Sequence, residues 1–112
     1  MGRKIGSLTP LALHILVALS DGPRHGYAVI RDIEERTSGA LNLRSGTLYV
    51  ALQRLTEAGM IEEVAAPPES TDARRKFFAL TEAGRGAALR EMRSLERLVA
   101  DAQRRLGSAV IE

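Results

Sequence analysis

The strongest constraint on how this 112-residue chain can fold is an apolar pattern near its C-terminus. Apolar residues recur at spacings of four, three, four, three and four residues from Ala88 to Leu106. This is the spacing of a coiled-coil seam, and it predicts a helix that packs lengthwise against another helix. Thr81 is a suitable N-cap for that helix and Gly107 a suitable stop. At 1.5 Å per residue, the roughly 25 residues between them give a helix about 38 Å long.

A helix of this length has two interpretations, folding back on its own domain or pairing with a second copy. The seam continues beyond the point that one small domain could cover, which favours pairing. Another predicted helix, at 11–19 after Thr9 and Pro10, is apolar on almost every side and must also be covered on more than one face. We therefore predict a homodimer. The predicted interface residues are Leu11, Ile15, Ala88, Met92, Leu95, Val99, Ala102 and Leu106.

The segments between these two helices complete the order of elements. They predict a helix at 26–37, a short extended piece at 41–43, a helix at 45–59, and two strands at 60–66 and 76–81 joined by a Pro-containing loop. This is the order of a winged helix-turn-helix, so the predicted fold class is mainly α with a small β-hairpin. We expect a DNA-binding domain over 1–81 and a dimerisation helix with a short tail over 82–112.

Composition argues against several other functions. The chain has no cysteine, which excludes disulfides, thiolate metal sites and a cysteine nucleophile, and two histidines alone cannot hold a structural zinc ion. No phosphate-binding glycine loop or serine-hydrolase motif is present. We therefore expect no enzymatic activity, cofactor or metal. No apolar run is long enough to cross a bilayer and the first residues lack a secretion signal, so we expect a cytoplasmic protein.

Basic residues are the candidates for contact with DNA. All 16 except Lys4 and Lys76 are arginine, the side chain best suited to phosphate groups and guanine edges. The net charge of +2 is too small to decide the question, so the positions of the charges must decide it. The third predicted helix would enter the major groove, and the hairpin loop, or wing, would reach the backbone. The predicted DNA-binding residues are Arg44, Ser45, Thr47, Tyr49, Val50, Gln53, Arg54, Arg74, Arg75 and Lys76.

These residues are suited to different parts of the DNA. Gln53 can bond adenine, Arg54 can bond guanine, and Val50 can contact a thymine methyl group. Tyr49 lies on the flank of the helix, where a phosphate contact is expected. The basic cluster of the wing is suited to phosphates or the minor groove, although the same charges would also fit an ordinary solvated loop. For His25, at the start of the second helix, we expect a capping or packing role, with a phosphate contact as the alternative.

Several short motifs occur in an order that resembles one family. They are Gly22-Pro23-Arg24-His25-Gly26-Tyr27, Gly46-Thr47-Leu48-Tyr49, Leu52-Gln53-Arg54-Leu55, Ala58-Gly59-Met60-Ile61 and the run from Arg75 to Gly84. Together they resemble the PadR-like winged-helix transcriptional regulators, in particular the short subfamily with a single C-terminal helix. The resemblance covers residues 8–106. The chain departs from the family at Phe77 and Phe78, where tyrosine is usual at one or both positions.

The resemblance implies a homodimeric DNA-binding repressor whose C-terminal helices pair, and many relatives sense small aromatic or drug-like molecules. We predict a sequence-specific repressor on an inverted-repeat operator; the alternative is a protein-interaction module that uses the winged helix as a scaffold. A small hydrophobic effector, if one binds, is expected where the C-terminal helices meet the first helix. Because the C-terminal helix has no aromatic residue, an aliphatic pocket and no pocket at all both stay open. The candidate pocket residues are Leu11, Ile15, Met92, Leu95 and Val99.

Overall fold

The chain folds into a bundle of helices that carries a small antiparallel sheet. The computed structural model describes residues 8–41, 43–70 and 75–107. In chain order the elements are α1 (Pro10–Ala18), β1 (Arg24–His25), α2 (Gly26–Arg36), α3 (Ser45–Glu57), β2 (Ile61–Val64), β3 (Phe77–Leu80) and α4 (Glu82–Leu106). The prediction of a mainly helical winged helix-turn-helix with a long C-terminal helix is confirmed.

Side-chain caps mark the starts of α2 and α4. At the start of α2, Nδ1 of His25 accepts a hydrogen bond from the Ala28 N–H at 3.1 Å. At the start of α4, Oγ1 of Thr81 accepts one from the Gly84 N–H at 3.0 Å. Both side chains satisfy donors that the helix itself leaves unpaired. Beyond the end of α3, Gly59 adopts a φ of +78°, a left-handed conformation that favours glycine.

The sheet contains one strand more than the hairpin expected from the sequence. Its order is β1-β3-β2, and both pairings are antiparallel. The third strand is β1, in which Arg24 pairs with Phe78. The sequence predicted a short extended piece at 41–43 and no strand at Arg24–His25. In the structure Leu41 and Leu43 belong to no helix or strand, and Asn42 lies outside the described residues. A strand of two residues is too short to show alternation, so only its pairing with β3 defines it.

The core brings together α1, α2, α3 and the sheet. The predicted stripe of Leu48, Leu52 and Leu55 is buried, so α3 is anchored by its inner face. The other core residues include Ile15, Leu16, Ala18, Leu19, Val29, Ile33, Ile61 and Phe78. Because this anchoring uses one face of α3, its opposite face is left at the surface.

Within the part of the chain that the structure describes, α4 packs against the other elements through its first part. Gly84 and Ala87 are buried, whereas Leu98 is 62% exposed and Leu106 is 84% exposed. The 25-residue helix therefore extends beyond the other elements and carries an apolar stripe that the described residues leave exposed. Among the described residues, no helix combines the length and the apolar character that a membrane crossing requires.

Candidate nucleic-acid interface

The outer face of α3 presents all five residues that were predicted on it. Thr47, Tyr49, Val50, Gln53 and Arg54 are each exposed, and the side chains of Tyr49 and Val50 are about half exposed. They divide between two edges of the helix. Tyr49 and Gln53 face the hairpin, whereas the other three face α1. The exposed face of α3 is thus a ridge between two depressions.

The depression on the hairpin side, which we call the wing cleft, has a volume of about 760 Å³. Its lining residues are Tyr49, Leu52, Gln53, Thr56, Glu57, Glu63, Arg75, Lys76 and Phe78. The fold therefore brings the polar side of α3 together with the basic residues that precede β3, although more than 20 residues separate them in the sequence. Arg75 and Lys76 are both exposed. Arg74, predicted in the same cluster, lies outside the described residues.

The depression on the other side of α3, which we call the α1 groove, has a volume of about 400 Å³ and a mostly apolar lining. Leu8, Thr9 and Leu11 contribute from the start of α1. Val50 and Arg54 contribute from α3. Arg44 and Ser45, at the N-terminal end of α3, are exposed as well. All the predicted DNA-contact residues that the structure describes therefore lie on α3, at its start, or on the adjoining wing.

Tyr49 is more constrained than its exposure suggests. A Cβ added to Gly26 would lie 2.9 Å from the Tyr49 hydroxyl oxygen, so the phenol sits against the first residue of α2. Gly26 is buried, and the absence of a side chain there leaves room for the ring. The hydroxyl of Tyr49 is therefore held at the junction between α2 and α3. The sequence indicated its place on the flank of α3 but not this contact.

Two carboxylates also line the wing cleft. Glu57 lies one turn beyond Gln53, whose Nε2 donates a hydrogen bond to the Glu57 carboxylate at 3.4 Å. Glu63 lines the cleft from β2. Sequence reasoning missed Glu63, because its position opposite Phe78 follows only from the strand register. The positive charge of this cleft thus comes from the wing, and α3 contributes polar groups suited to base edges.

The predicted interface and pocket residues do not form one surface. Ile15 is 0% exposed and belongs to the core, so it has no surface left for a partner or a ligand, and its prediction as an interface and pocket residue is wrong. Leu11 lines the α1 groove, away from α4. Met92 and Leu95 line a different apolar groove of about 240 Å³ between α1 and α4, which we call the α4 groove.

The α4 groove contains residues that sequence reasoning missed. Leu13 and Val17 contribute from α1, and Leu89 contributes from α4. Val17 is 42% exposed and lies at the surface of α1 beside α4, where we had predicted Ile15. The other predicted interface residues lie along α4: Ala88 and Ala102 are partly buried, and Val99 and Leu106 are exposed. Within the ranges that the structure describes, no group of three or more histidine, aspartate or glutamate side chains is placed to hold a metal ion.

The anchored α3, the paired hairpin and the extended α4 define a winged helix-turn-helix protein with a C-terminal helical extension. The family model of the transcriptional regulator PadR-like family matches residues 15–91, and the chain belongs to this family. The resemblance that we drew from the sequence motifs is confirmed.

Individual proteins are also similar to this chain in sequence or in fold. An uncharacterized protein of a Streptomyces fradiae transposon is 39% identical over 84 residues, which is 75% of this chain but only 22% of that protein's length. A PadR family regulator from Clostridium difficile has a similar structure, with a TM-score of 0.73 and 23% identity over 87% of this chain and 98% of that one. Bacillus subtilis PadR, in a complex with operator DNA, gives a TM-score of 0.62 and 22% identity over 73% of this chain and 46% of that one.

Proposed function

We propose that this protein is a dimeric, sequence-specific DNA-binding repressor that recognises an inverted-repeat operator. One observation carries the proposal: Tyr49 and Gln53 of α3 line the same cleft as Arg75 and Lys76 of the wing. An exposed helix can enter the major groove of B-DNA, and cations beside it can hold the backbone. The similar fold of Bacillus subtilis PadR, whose structure is a complex with operator DNA, supports DNA binding by a chain of this fold.

The roles of the residues follow from their chemistry. Gln53 offers a donor and an acceptor in one plane, which suits the N6 and N7 edge of adenine, and Arg54 suits the O6 and N7 edge of guanine. Val50, half exposed beside them, suits a thymine methyl group. Arg75 and Lys76 are suited to phosphates, which supply affinity without sequence information.

The apolar stripe of α4 supports the dimeric part of the proposal. If two copies pair through this stripe, the two α3 helices are related by a two-fold axis. Such regulators read two half-sites about 34–36 Å apart, one turn of DNA. The alternative function is a protein-interaction module. A repressor of the proposed kind discriminates between DNA sequences, whereas an interaction module does not.

Two substitutions separate base reading from backbone binding. Arg75→Ala is expected to weaken binding by the same factor, about tenfold, to a random duplex and to a duplex selected from a random pool for tight binding. It is also expected to reduce the slope of log K against log salt by about 0.9 per protomer. Gln53→Ala is expected to leave random DNA unaffected and to reduce discrimination at one base pair per half-site by about 1–3 kcal/mol. Fluorescence anisotropy with labelled duplexes at several salt concentrations measures both effects.

Controls of the same residue type are available on α4. Arg105→Ala and Gln103→Ala remove the same side chains from exposed positions near its C-terminal end and should leave DNA binding unchanged. If Gln53→Ala weakens selected and random duplexes equally, Gln53 does not read a base. If the wild-type protein binds both duplexes equally, the interaction-module alternative is favoured.

An effector, if the protein has one, would be a small apolar compound bound in the α4 groove. The support is the nearly apolar lining, which includes Met92, an adaptable side chain that conforms to varied ligands. An inducer must bind the protein conformation that cannot bind DNA more tightly than the conformation that can. The difference in binding free energy is about 1.4 kcal/mol for each tenfold loss of operator affinity.

Titration of aliphatic and aromatic compounds into the protein–DNA complex tests this location. Met92→Ala, which shortens a side chain of the groove lining, is expected to weaken release, measured with a variant that still binds DNA. Release that survives Met92→Ala unchanged would place the site elsewhere. If no compound releases the DNA, the protein is a regulator without an effector of this class.

A further inference from the structure

The wing cleft contains a carboxylate on α3 itself, beside the side chain that we propose reads a base. Glu57 is exposed and is the last residue of α3, one turn after Gln53. Nε2 of Gln53 donates a hydrogen bond to its carboxylate at 3.4 Å, and among the described residues Glu57 forms no ion pair. Arg75 and Lys76 line the same cleft from the wing. The hydrogen bond to Gln53 is therefore the contact that defines the place of Glu57 in this cleft.

Helix stability does not account for a carboxylate at this position. The C-terminal end of a helix carries a partial negative charge, so an acidic side chain there is unfavourable. A hydrogen bond between exposed side chains one turn apart stabilises a helix only slightly. A negative charge in a cleft proposed to receive DNA also weakens the attraction between the two molecules. The contribution of Glu57 must therefore be sought in what it does to Gln53.

The contact determines which end of the Gln53 amide faces the protein. A carboxylate can only accept hydrogen bonds, so the NH2 group of the amide points toward Glu57 and the carbonyl oxygen, Oε1, points away from it. The NH2 group has two hydrogens, so one of them remains for another partner. Oε1 and this second N–H lie in one plane and match the N6 donor and the N7 acceptor of adenine. Glu57 can thus hold the amide and leave its adenine-reading edge available.

The same contact opposes the reading of guanine. Guanine presents two acceptors, O6 and N7, where adenine presents a donor and an acceptor. To bond both acceptors, Gln53 would have to turn its N–H groups to the base and give up the hydrogen bond to Glu57. The last torsion of a glutamine side chain has a broad and nearly two-fold preference, so an unpartnered amide can turn over at little cost. A fixed acceptor on the carboxylate side removes this freedom.

We propose that Glu57 is a specificity-determining residue that holds the Gln53 amide, so that the protein prefers adenine to guanine at the base pair that Gln53 reads. In this role Glu57 is a positioning residue, because it acts on the base through another side chain. The proposal rests on the proposed DNA-binding function. Glu63 lines the same cleft from β2, but the hydrogen bond of Gln53 goes to Glu57. The two carboxylates therefore allow the effect of orientation to be separated from the effect of charge.

Fluorescence anisotropy tests the proposal with versions of one duplex, selected from a random pool for tight binding. The versions differ only at the base pair where Gln53→Ala relaxes the preference. Glu57→Gln keeps the size of the side chain, but its amide can donate as well as accept, so it no longer fixes the orientation of Gln53. The preference for adenine over guanine is expected to fall at least about fivefold, the lower end of the discrimination that one bidentate contact gives.

Two further variants serve as controls. Glu63→Gln removes the same charge from the same cleft and should leave the base preference unchanged. Added to Gln53→Ala, Glu57→Gln should cause no further change in preference, because its effect passes through the missing amide. A wild-type preference in Glu57→Gln, or an equal loss in Glu63→Gln, overturns the role of Glu57 alone. If the wild-type protein binds selected and random duplexes equally, the proposed function is overturned, and the role of Glu57 with it.

Discussion

Gly84→Ala is expected to destabilise the fold by about 3 kcal/mol or more, because a side chain there has no space. A Cβ on Gly84 would overlap the carbonyl oxygen of Met60, and it would lie 2.9 Å from Cδ1 of Leu80. The same carbonyl accepts the Thr81 N–H at 3.1 Å, and Oγ1 of Thr81 donates to the Gly59 carbonyl at 2.7 Å. To make room, the start of α4 must move away from the turn after α3 and stretch these hydrogen bonds.

For a chain of this size, that loss corresponds to a fall in Tm of about 15 °C, measured by circular dichroism at one protein concentration. Gly86→Ala is the matched control, since it lies two residues further along the same helix and its added Cβ would meet only Nη1 of Arg90, at 3.4 Å. In a helix interior the change from glycine to alanine is stabilising, by up to about 1 kcal/mol. Two variants that melt at the same temperature would show that α4 does not dock on the turn at Met60 as described.

Leu95→Asp is expected to convert the protein from a dimer to a monomer at micromolar concentration. Leu95 lies at the centre of an α4 stripe that the other described residues leave exposed, together with Met92 at 44% and Val99 at 53%. Contiguous apolar surface of this kind is typical of an interface. A two-fold axis would place the aspartate in the interface twice, so we expect association to weaken at least about a hundredfold, or about 2.7 kcal/mol.

Sedimentation equilibrium measures this change. Ser94→Asp introduces the same charge at the adjacent exposed position of α4, on the polar side of the helix, and should leave the dimer intact. A wild-type protein that sediments as a monomer at micromolar concentration would contradict the dimer. If both substitutions weakened association equally, the interface would not lie on the Leu95 side of α4.

The parts of the fold that the sequence predicted are those with a local physical signal. The caps at Thr81 and His25, the buried leucine stripe of α3 and the seam of α4 each depend on residues close together in the chain. The strand at Arg24–His25 was missed because it exists only through its pairing with β3. The burial of Ile15 was missed because an all-apolar helix does not show which of its faces meets the core.

The sequence predicted which residues belong to the candidate site but not how they are arranged. Residue chemistry and the order of elements indicated α3 and the wing. Tertiary packing alone decides that Gln53 and Arg75 share a cleft, and that Val50 faces the opposite groove.

In the function that we propose, two copies of α3 read two half-sites of DNA. Selection of bound duplexes from a random pool tests it and requires no known operator. We expect an enriched inverted repeat whose half-sites are centred about 10–10.5 base pairs apart. We also expect that Gln53→Ala relaxes one position in each half-site. Bound duplexes that remain as random as the starting pool, at a salt concentration where the protein binds DNA, would contradict it.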